Sequence, residues 1–181
     1  MSISVPNLAA LVFVYGVIVS IHEFGHYSVG RWLAGISAAD IQIVLLDFPQ
    51  HVALRDEGDW VSPLEQPRYS QIYSRYDTEN TQWRYIDLYT AGGLIAQALG
   101  VIVIGGLLLA AAERSWAELF LEVSLLLSVS YLIFDIGPSL NSSRKQGYTG
   151  DFSALWGYSP IGALATVLFF VLMHGILYIC L

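Results

Sequence analysis

The sequence is poor in charge and in cysteine. Only 13% of its 181 residues are charged, against about 25% in an average soluble domain, and 55% are hydrophobic. The single cysteine, Cys180, excludes an intrachain disulfide framework and a zinc ribbon built on cysteine pairs. Eight basic against fifteen acidic residues give a net charge of −7, which argues against binding nucleic acid through its phosphates. The composition therefore favours a membrane protein over an ordinary soluble domain.

The sequence contains several long apolar stretches. About 20 helical residues cross a hydrocarbon core of about 30 Å. Four stretches qualify, and the second carries no charge at all: they run from about Asn7 to Trp32, Leu88 to Ala112, Trp116 to Phe134 and Ser159 to Leu181. We therefore expect an all-α membrane protein with four transmembrane helices, formed by residues 1–181 as a single membrane-embedded domain.

The basic residues predict the orientation of these helices. Seven of the eight lie in the first and third connecting segments or at their borders, and only Arg114 lies in the second. Because basic residues concentrate on the cytosolic side, the amino terminus is expected outside and the large loops in the cytosol, in the plasma membrane of a prokaryote. No Lys or Arg precedes Arg31, so the first stretch does not resemble a signal peptide.

The first loop contains a pattern typical of a β-hairpin. Residues Ile36 to Val44 alternate partly and include β-branched side chains, Asp47 to Gln50 form a turn signal, and His51 to Leu54 suit a return strand. We expect a small hairpin at the membrane surface. The polar stretch from Asp56 to Asn80 is expected to be a loop with a short helix at most.

One motif carries chemistry. His22, Glu23 and His26 form the pattern H-E-x-x-H inside the first apolar stretch. Residues i and i+4 share a helix face, so the two imidazoles can bind one zinc ion while Glu23 takes a proton from water. Three ionisable groups in a membrane span also need a compensating partner, which a metal ion supplies. The alternative is that the span ends at Ser20 and the motif is a solvated helix end.

A catalytic zinc site needs a third protein ligand and an open fourth position. The remaining histidines are unpromising, because His51 lies in a loop and His174 lies past the middle of a span that heads outward. Asp135 and Asp151 lie in the third loop, on the cytosolic side that also holds the motif. The residues alone leave these two carboxylates as candidates.

Three segments together resemble the site-2 protease family of intramembrane zinc metalloproteases. The first is the H-E-x-x-H motif in a membrane span. The second is similar to the family's Gly-Pro-x-Ala-Asn stretch, with Gly93 for Pro and Gln97 for Asn. The third is similar to its Asn-x-x-Pro … Asp-Gly signature, with Asp135 for Asn and Phe152 for Gly. The segments read Ala91-Gly92-Gly93-Leu94-Ile95-Ala96-Gln97, Asp135-Ile136-Gly137-Pro138 and Asp151-Phe152.

The resemblance implies a fold and an activity. It covers about residues 7–157 as a catalytic core, followed by an extra carboxyl-terminal helix over 159–181 and without a PDZ or CBS domain. It implies a zinc endopeptidase that cleaves transmembrane substrates near the cytosolic face, with one zinc per chain on His22, His26 and Asp151 and with Glu23 as the base. Asp151 is preferred because Asp135 stands where the family has Asn, a poor zinc ligand. Gly137-Pro138 is also expected to end the helix just after Asp135.

The resemblance also implies contacts with a substrate. The partners are expected to be the bilayer and a transmembrane protein, whose helix must open locally before it can be cleaved. The strand with Ile41 and Ile43 could pair with the extended substrate, and Gly93 and Gln97 are further candidates. A hairpin without a substrate role, and helix packing by Gly93 and Gln97, remain open.

Two other functions also remain open. The departures at Asp135 and Phe152 allow a catalytically inactive membrane regulator that keeps the fold. A metal transporter would need ligands repeated through the bilayer, and the second span offers only Gln97. The sequence does not identify the substrate or the oligomeric state.

Overall fold

Four long apolar helices form the body of the protein. The computed structural model describes residues 5–79, 82–141 and 150–181. Four of its helices contain segments long and apolar enough to cross a membrane, which confirms the predicted four-span helical fold of a multi-pass membrane protein. In chain order the elements are α1 (Val5–Ser28), a π-helical turn (Val29–Leu33), β1 (Ile41–Val44), β2 (His51–Asp56), β3 (Asp59–Val61), α2 (Arg68–Asp77), β4 (Thr78–Glu79), β5 (Gln82–Trp83), α3 (Ile86–Ala110), α4 (Arg114–Asn141), α5 (Asp151–Tyr158) and α6 (Pro160–Cys180).

Helix α3 is central and packs against α1, α4, α5 and α6. Its closest approach is to α1, where a Cβ atom on Gly25 would overlap the Gly92 carbonyl oxygen and one on Gly92 would lie 2.9 Å from the Gly25 carbonyl oxygen. Only glycine permits this crossing, which is the usual role of small residues between membrane helices. Further along the bundle, buried apolar side chains such as Ile18, Val101 and Phe120 join α1, α3 and α4.

The predicted hairpin is present, with a first strand shorter than the stretch from Ile36 to Val44 and with a third strand that was not expected. Strands β1 and β2 pair antiparallel with Ile41 opposite Leu54, and β3 adds a third strand with Val61 opposite Leu54. Leu54 and Val61 are fully buried within a core to which Tyr69 and Tyr73 of α2 also belong.

The segment after Asp56 contains the short helix that the sequence allowed, together with a strand that was not expected. The segment holds β3 and the ten-residue helix α2. Tyr69, Ile72 and Tyr73 lie three and four residues apart, which places them on one helix face, and that face packs on the sheet. The apolar spacing was visible in the sequence, but it is short and sits among polar residues.

The turn between β1 and β2 lies beside the membrane-spanning part of α1. The Tyr15 hydroxyl donates a hydrogen bond of 3.1 Å to Gln50 Oε1, and Tyr15 precedes His22 by about 10 Å of helix. Leu46 and Phe48 in this turn are 99% and 83% exposed. The turn therefore exposes two apolar side chains beside a helix that is apolar and long enough to span a membrane.

The third loop differs from the prediction at one point. Helix α4 continues through Gly137 and Pro138 to Asn141, so these residues do not end it. Proline is tolerated in membrane helices because neighbouring groups satisfy the freed backbone carbonyl. The loop leads into the short helix α5, which begins at Asp151. The basic residues Arg144 and Lys145 lie outside the described residues.

Candidate metal centre

The two imidazoles of the motif meet on the face of α1 that packs against α3. His22 and His26 are 6% and 7% exposed, and their Nε2 atoms lie 3.2 Å apart. The i, i+4 spacing on a continuous helix produces this pairing directly. The motif is therefore buried helix, and the alternative of a solvated helix end after Ser20 is wrong.

Asp151 supplies the third ligand atom from α5. Its Oδ2 lies 2.9 Å from His22 Nε2 and 3.1 Å from His26 Nε2. Three candidate ligand atoms thus converge closely enough to hold a metal ion. Two ligands about 2.0 Å from a tetrahedral ion lie about 3.3 Å apart, so the three atoms would need to separate by only a few tenths of an ångström. His22, His26 and Asp151 can therefore hold a metal ion such as zinc.

Both rings are oriented by hydrogen bonds from the nitrogen that faces away from Asp151. His26 Nδ1 donates to the Tyr89 carbonyl oxygen at 2.7 Å, and His22 Nδ1 lies 3.0 Å from Gln97 Oε1. Such partners fix the ring and leave the lone pair of Nε2 for a metal. Tyr89 and Gln97 both belong to α3, so this helix orients the ligands that α1 carries.

Glu23 lies beside the two histidines and is only 6% exposed. Among the described residues, none donates a hydrogen bond to its carboxylate. A buried carboxylate without such a donor is costly in a membrane helix. Glu23 therefore lies beside the candidate metal centre with its carboxylate available as a hydrogen-bond acceptor.

Gly93 brings the backbone of α3 against the two rings. A Cβ atom at this position would overlap His26 Nε2 and would lie 2.5 Å from His22 Nε2. Any side chain here would enter the space that the ligand atoms enclose. The glycine therefore keeps the site open, which is more specific than the helix-packing role that Gly92 fills.

Asp135 has a different role from Asp151. It accepts a hydrogen bond of 2.7 Å from the backbone N–H of Ser153, so it caps the first turn of α5 from outside that helix. Asp151 is the first residue of α5 and follows the N-cap Gly150. Asp135 thus positions the helix that carries the candidate ligand.

Charge at Asp151 favours its role as a ligand. Burial raises the pKa of its carboxyl, but the imidazole of His26 and the hydrogen bonds to both rings outweigh this and hold that pKa below its ordinary value. The carboxylate form, which metals require, is therefore the stable one. The Asp151 side chain remains 37% exposed.

The predicted substrate residues lie in two different environments. Gln97 is 1% exposed, and its amide contacts Ser124 and Ser128 as well as His22, so it is engaged inside the bundle. Ile41 is 2% exposed and Ile43 is partly buried, and both pack on the core of the sheet. Their side chains face that core, while the strand that carries them lies at the sheet edge.

The sequence did not predict the hydrogen-bonded side chains Ser124 and His174, which lie further from the candidate metal centre than its ligands. His174 had been considered only as a metal ligand, and it is 3% exposed with its Nε2 atom 2.8 Å from Ser124 Oγ. The available signal was the presence of polar side chains in apolar spans, which usually face the bundle interior. Sequence alone could not pair residues that are 50 positions apart.

Comparison with known proteins adds nothing to this geometry. No protein-family model matches the chain, and neither a curated protein nor a solved structure shows significant similarity to it.

Proposed function

We propose that this protein is a zinc-dependent endopeptidase of the site-2 protease type, which cleaves transmembrane substrates within the bilayer. The observation that carries the proposal is the convergence of His22, His26 and Asp151 beside Glu23 in a membrane helix. A transporter would need ligands repeated along a path, and the described part of the chain offers this one group.

Zinc is the metal that this ligand set favours. Two neutral imidazoles and one carboxylate, with a fourth position left open, are typical of catalytic zinc in hydrolases. When bound, zinc would polarise the scissile carbonyl and make a water molecule nucleophilic near neutral pH. His22 and His26 would bind it through Nε2, and Asp151 through Oδ2.

Glu23 is the proposed general base. Its carboxylate follows His22 directly on α1 and has no donor among the described residues, so it is free to accept a proton from the attacking water. The same group would then return that proton to the leaving amine. Burial of the site keeps bulk water away from the substrate during both transfers.

The edge of β1 is the proposed substrate contact. A transmembrane substrate must be extended before its peptide bonds are accessible, and an edge strand can pair with an extended segment through backbone hydrogen bonds. An open groove of about 750 Å³ lies between α1 and β1 and is lined by residues that include Ser20, Phe24 and Ile43. Because Ile41 and Ile43 pack on the core of the sheet, their contribution would come from the backbone.

The proposed orientation has the amino terminus outside and the metal centre nearer the cytosol, in a prokaryotic plasma membrane. Tyr89 near the start of α3 packs with the sheet and Ala91 packs with Leu155 of α5, so the sheet and α5 share one end of the bundle. In a Cys180→Ser background, a cysteine introduced at Arg68 should be protected from an impermeant reagent and one at Arg114 should react. Reaction of both from the same side would contradict the proposed topology.

The decisive experiment is cleavage of tagged single-span proteins, with helix-destabilising residues in their spans, that are co-expressed with the chain. Wild type should cleave at least one of them, and Glu23→Gln should cleave none while each protein retains one zinc per chain. Retained zinc shows that the variant is folded. A wild-type protein that holds zinc and cleaves nothing would indicate an inactive regulator.

A further inference from the structure

A chain of hydrogen bonds joins α6 to the candidate metal centre through the interior of the bundle. His174 Nδ1 lies 2.8 Å from the Phe170 carbonyl oxygen, and His174 Nε2 lies 2.8 Å from Ser124 Oγ. Gln97 Nε2 lies 2.8 Å from the same Ser124 Oγ, and Gln97 Oε1 lies 3.0 Å from His22 Nδ1. All four side chains are buried.

The direction of each hydrogen bond follows from its fixed end. A carbonyl oxygen only accepts, so His174 Nδ1 must donate to Phe170. Among the described residues, the ring contacts no carboxylate, and a charged ring would be costly within a span, so His174 Nε2 accepts. Ser124 Oγ has one proton and gives it to His174, so it must accept from the Gln97 amide nitrogen.

A second contact gives Gln97 the same orientation. Its Nε2 atom also lies 3.3 Å from the Ser124 carbonyl oxygen, which cannot donate. With the amide nitrogen turned toward α4, Gln97 Oε1 faces His22 Nδ1, and an amide oxygen only accepts. His22 must therefore carry a proton on Nδ1, so Nε2, which faces Asp151 and His26, is the nitrogen that can give its lone pair to a metal.

We propose that Gln97, Ser124 and His174 act as positioning residues that hold His22 in the tautomer that binds the metal. The inference rests on the metal centre of the proposed function and gives a role to three residues that touch neither metal nor substrate. His26 obtains the same tautomer from a backbone carbonyl, which cannot rotate. His22 faces a side-chain amide, which could present either end, so the further partners of Gln97 are needed.

Zinc affinity tests the proposal separately from proteolysis. The metal-free protein in detergent competes with a chromophoric chelator for zinc, and folding is monitored by helical content and melting temperature. Gln97→Leu removes the acceptor and should weaken zinc binding 10–100-fold, as loss of a ligand's hydrogen-bond partner typically does. Gln97→Glu keeps an acceptor and should retain at least wild-type affinity, although a carboxylate is costlier to bury.

His174 provides the second arm of the test. His174→Phe should weaken zinc binding about fivefold, the equivalent of one net hydrogen bond. In the Gln97→Glu background the same change should have no effect, because a carboxylate needs no orientation. The matched control is Thr166→Val, which removes another buried polar group of α6. Among the described residues the Thr166 hydroxyl bonds only to the Gly162 carbonyl oxygen in its own helix, so the change should leave zinc affinity unchanged.

Nitrogen NMR of histidine-labelled protein reads the tautomer itself. The metal-free measurement uses an Asp151→Ala background, because the Asp151 carboxylate 2.9 Å from His22 Nε2 can itself accept a proton from that nitrogen. In this background a neutral His22 ring should carry its proton on Nδ1, and addition of Gln97→Leu should give a mixture. Equal zinc affinity in wild type and Gln97→Leu would overturn the inference, and so would equally weak binding by Gln97→Glu and Gln97→Leu. A proton mainly on His22 Nε2 in the Asp151→Ala variant with Gln97 intact would also overturn it. A wild-type protein that binds no zinc would refute the proposed function, while the tautomer measurement would still decide the inference.

Discussion

Gly93 offers the sharpest test of the metal centre because it can be blocked without removing a ligand. A methyl group at this position would lie 2.5 Å from His22 Nε2 and would overlap His26 Nε2. Real Cβ contacts essentially never fall below 3.0 Å, so the His22 ring must retreat by at least 0.5 Å, the difference between the two distances. Zinc–nitrogen distances tolerate about 0.2 Å. Gly93→Ala should therefore lose bound zinc.

Gly106→Ala is the matched control for this substitution. It lies on the same helix, and no atom of the described residues would come within 4 Å of its new methyl group. Alanine also favours a helix over glycine by about 1 kcal/mol, so neither variant should lose helical content. Zinc per chain is measured by elemental analysis after purification, and affinity by chelator competition. We expect Gly106→Ala to match wild type and Gly93→Ala to bind more than 100-fold more weakly, beyond the range of a lost hydrogen-bond partner. Wild-type zinc affinity in Gly93→Ala would refute the packing argument.

The remaining predictions concern the two carboxylates of the third loop, Asp135 and Asp151, and the contribution of Asp56 to stability at low pH. Asp151→Asn should lose most bound zinc. Asp135→Asn should retain zinc and lower the melting temperature only slightly, because an amide oxygen can still cap α5. The reverse pattern in metal content would make Asp135 the ligand. Hydrogen bonds from Arg75 and Arg68 hold the pKa of Asp56 below its ordinary value, so its contribution to stability is present above about pH 4 and is lost as the pH falls through the folded-state pKa. The melting temperature of wild type should exceed that of Asp56→Asn at pH 6, and the difference should shrink below about pH 4; a difference independent of pH would contradict this assignment.

Helical periodicity and membrane length made the core of the site predictable from sequence. A helix that spans the bilayer must satisfy its own backbone, so the apolar stretches alone determined four helices. Within the first helix, the spacing of His22 and His26 determined that the rings share a face. Glu23 was implicated for the same reason, since its position relative to the histidines does not depend on the rest of the chain.

Long-range geometry was not predictable in this way. Asp135 and Asp151 are both carboxylates of one loop, and only the fold separates them, because Asp135 caps α5 and Asp151 then reaches both imidazoles. The expectation that Gly137 and Pro138 end the helix was wrong because tertiary packing can override a local helix breaker. The bounds of α2 were not predicted, because its short apolar face is stabilised by the sheet that it covers.

The sequence by itself determined the membrane-spanning helices and the local pair of ligands, because both depend on contacts within a few residues. Tertiary structure alone decided what faces that pair. Gly93 matters because α3 crosses α1 closely, and Gln97 contacts His22 across 75 positions. Ser124 and His174 join the same chain from two further helices. Such pairings depend on how helices cross and rotate about their axes, and side-chain packing between helices sets those angles.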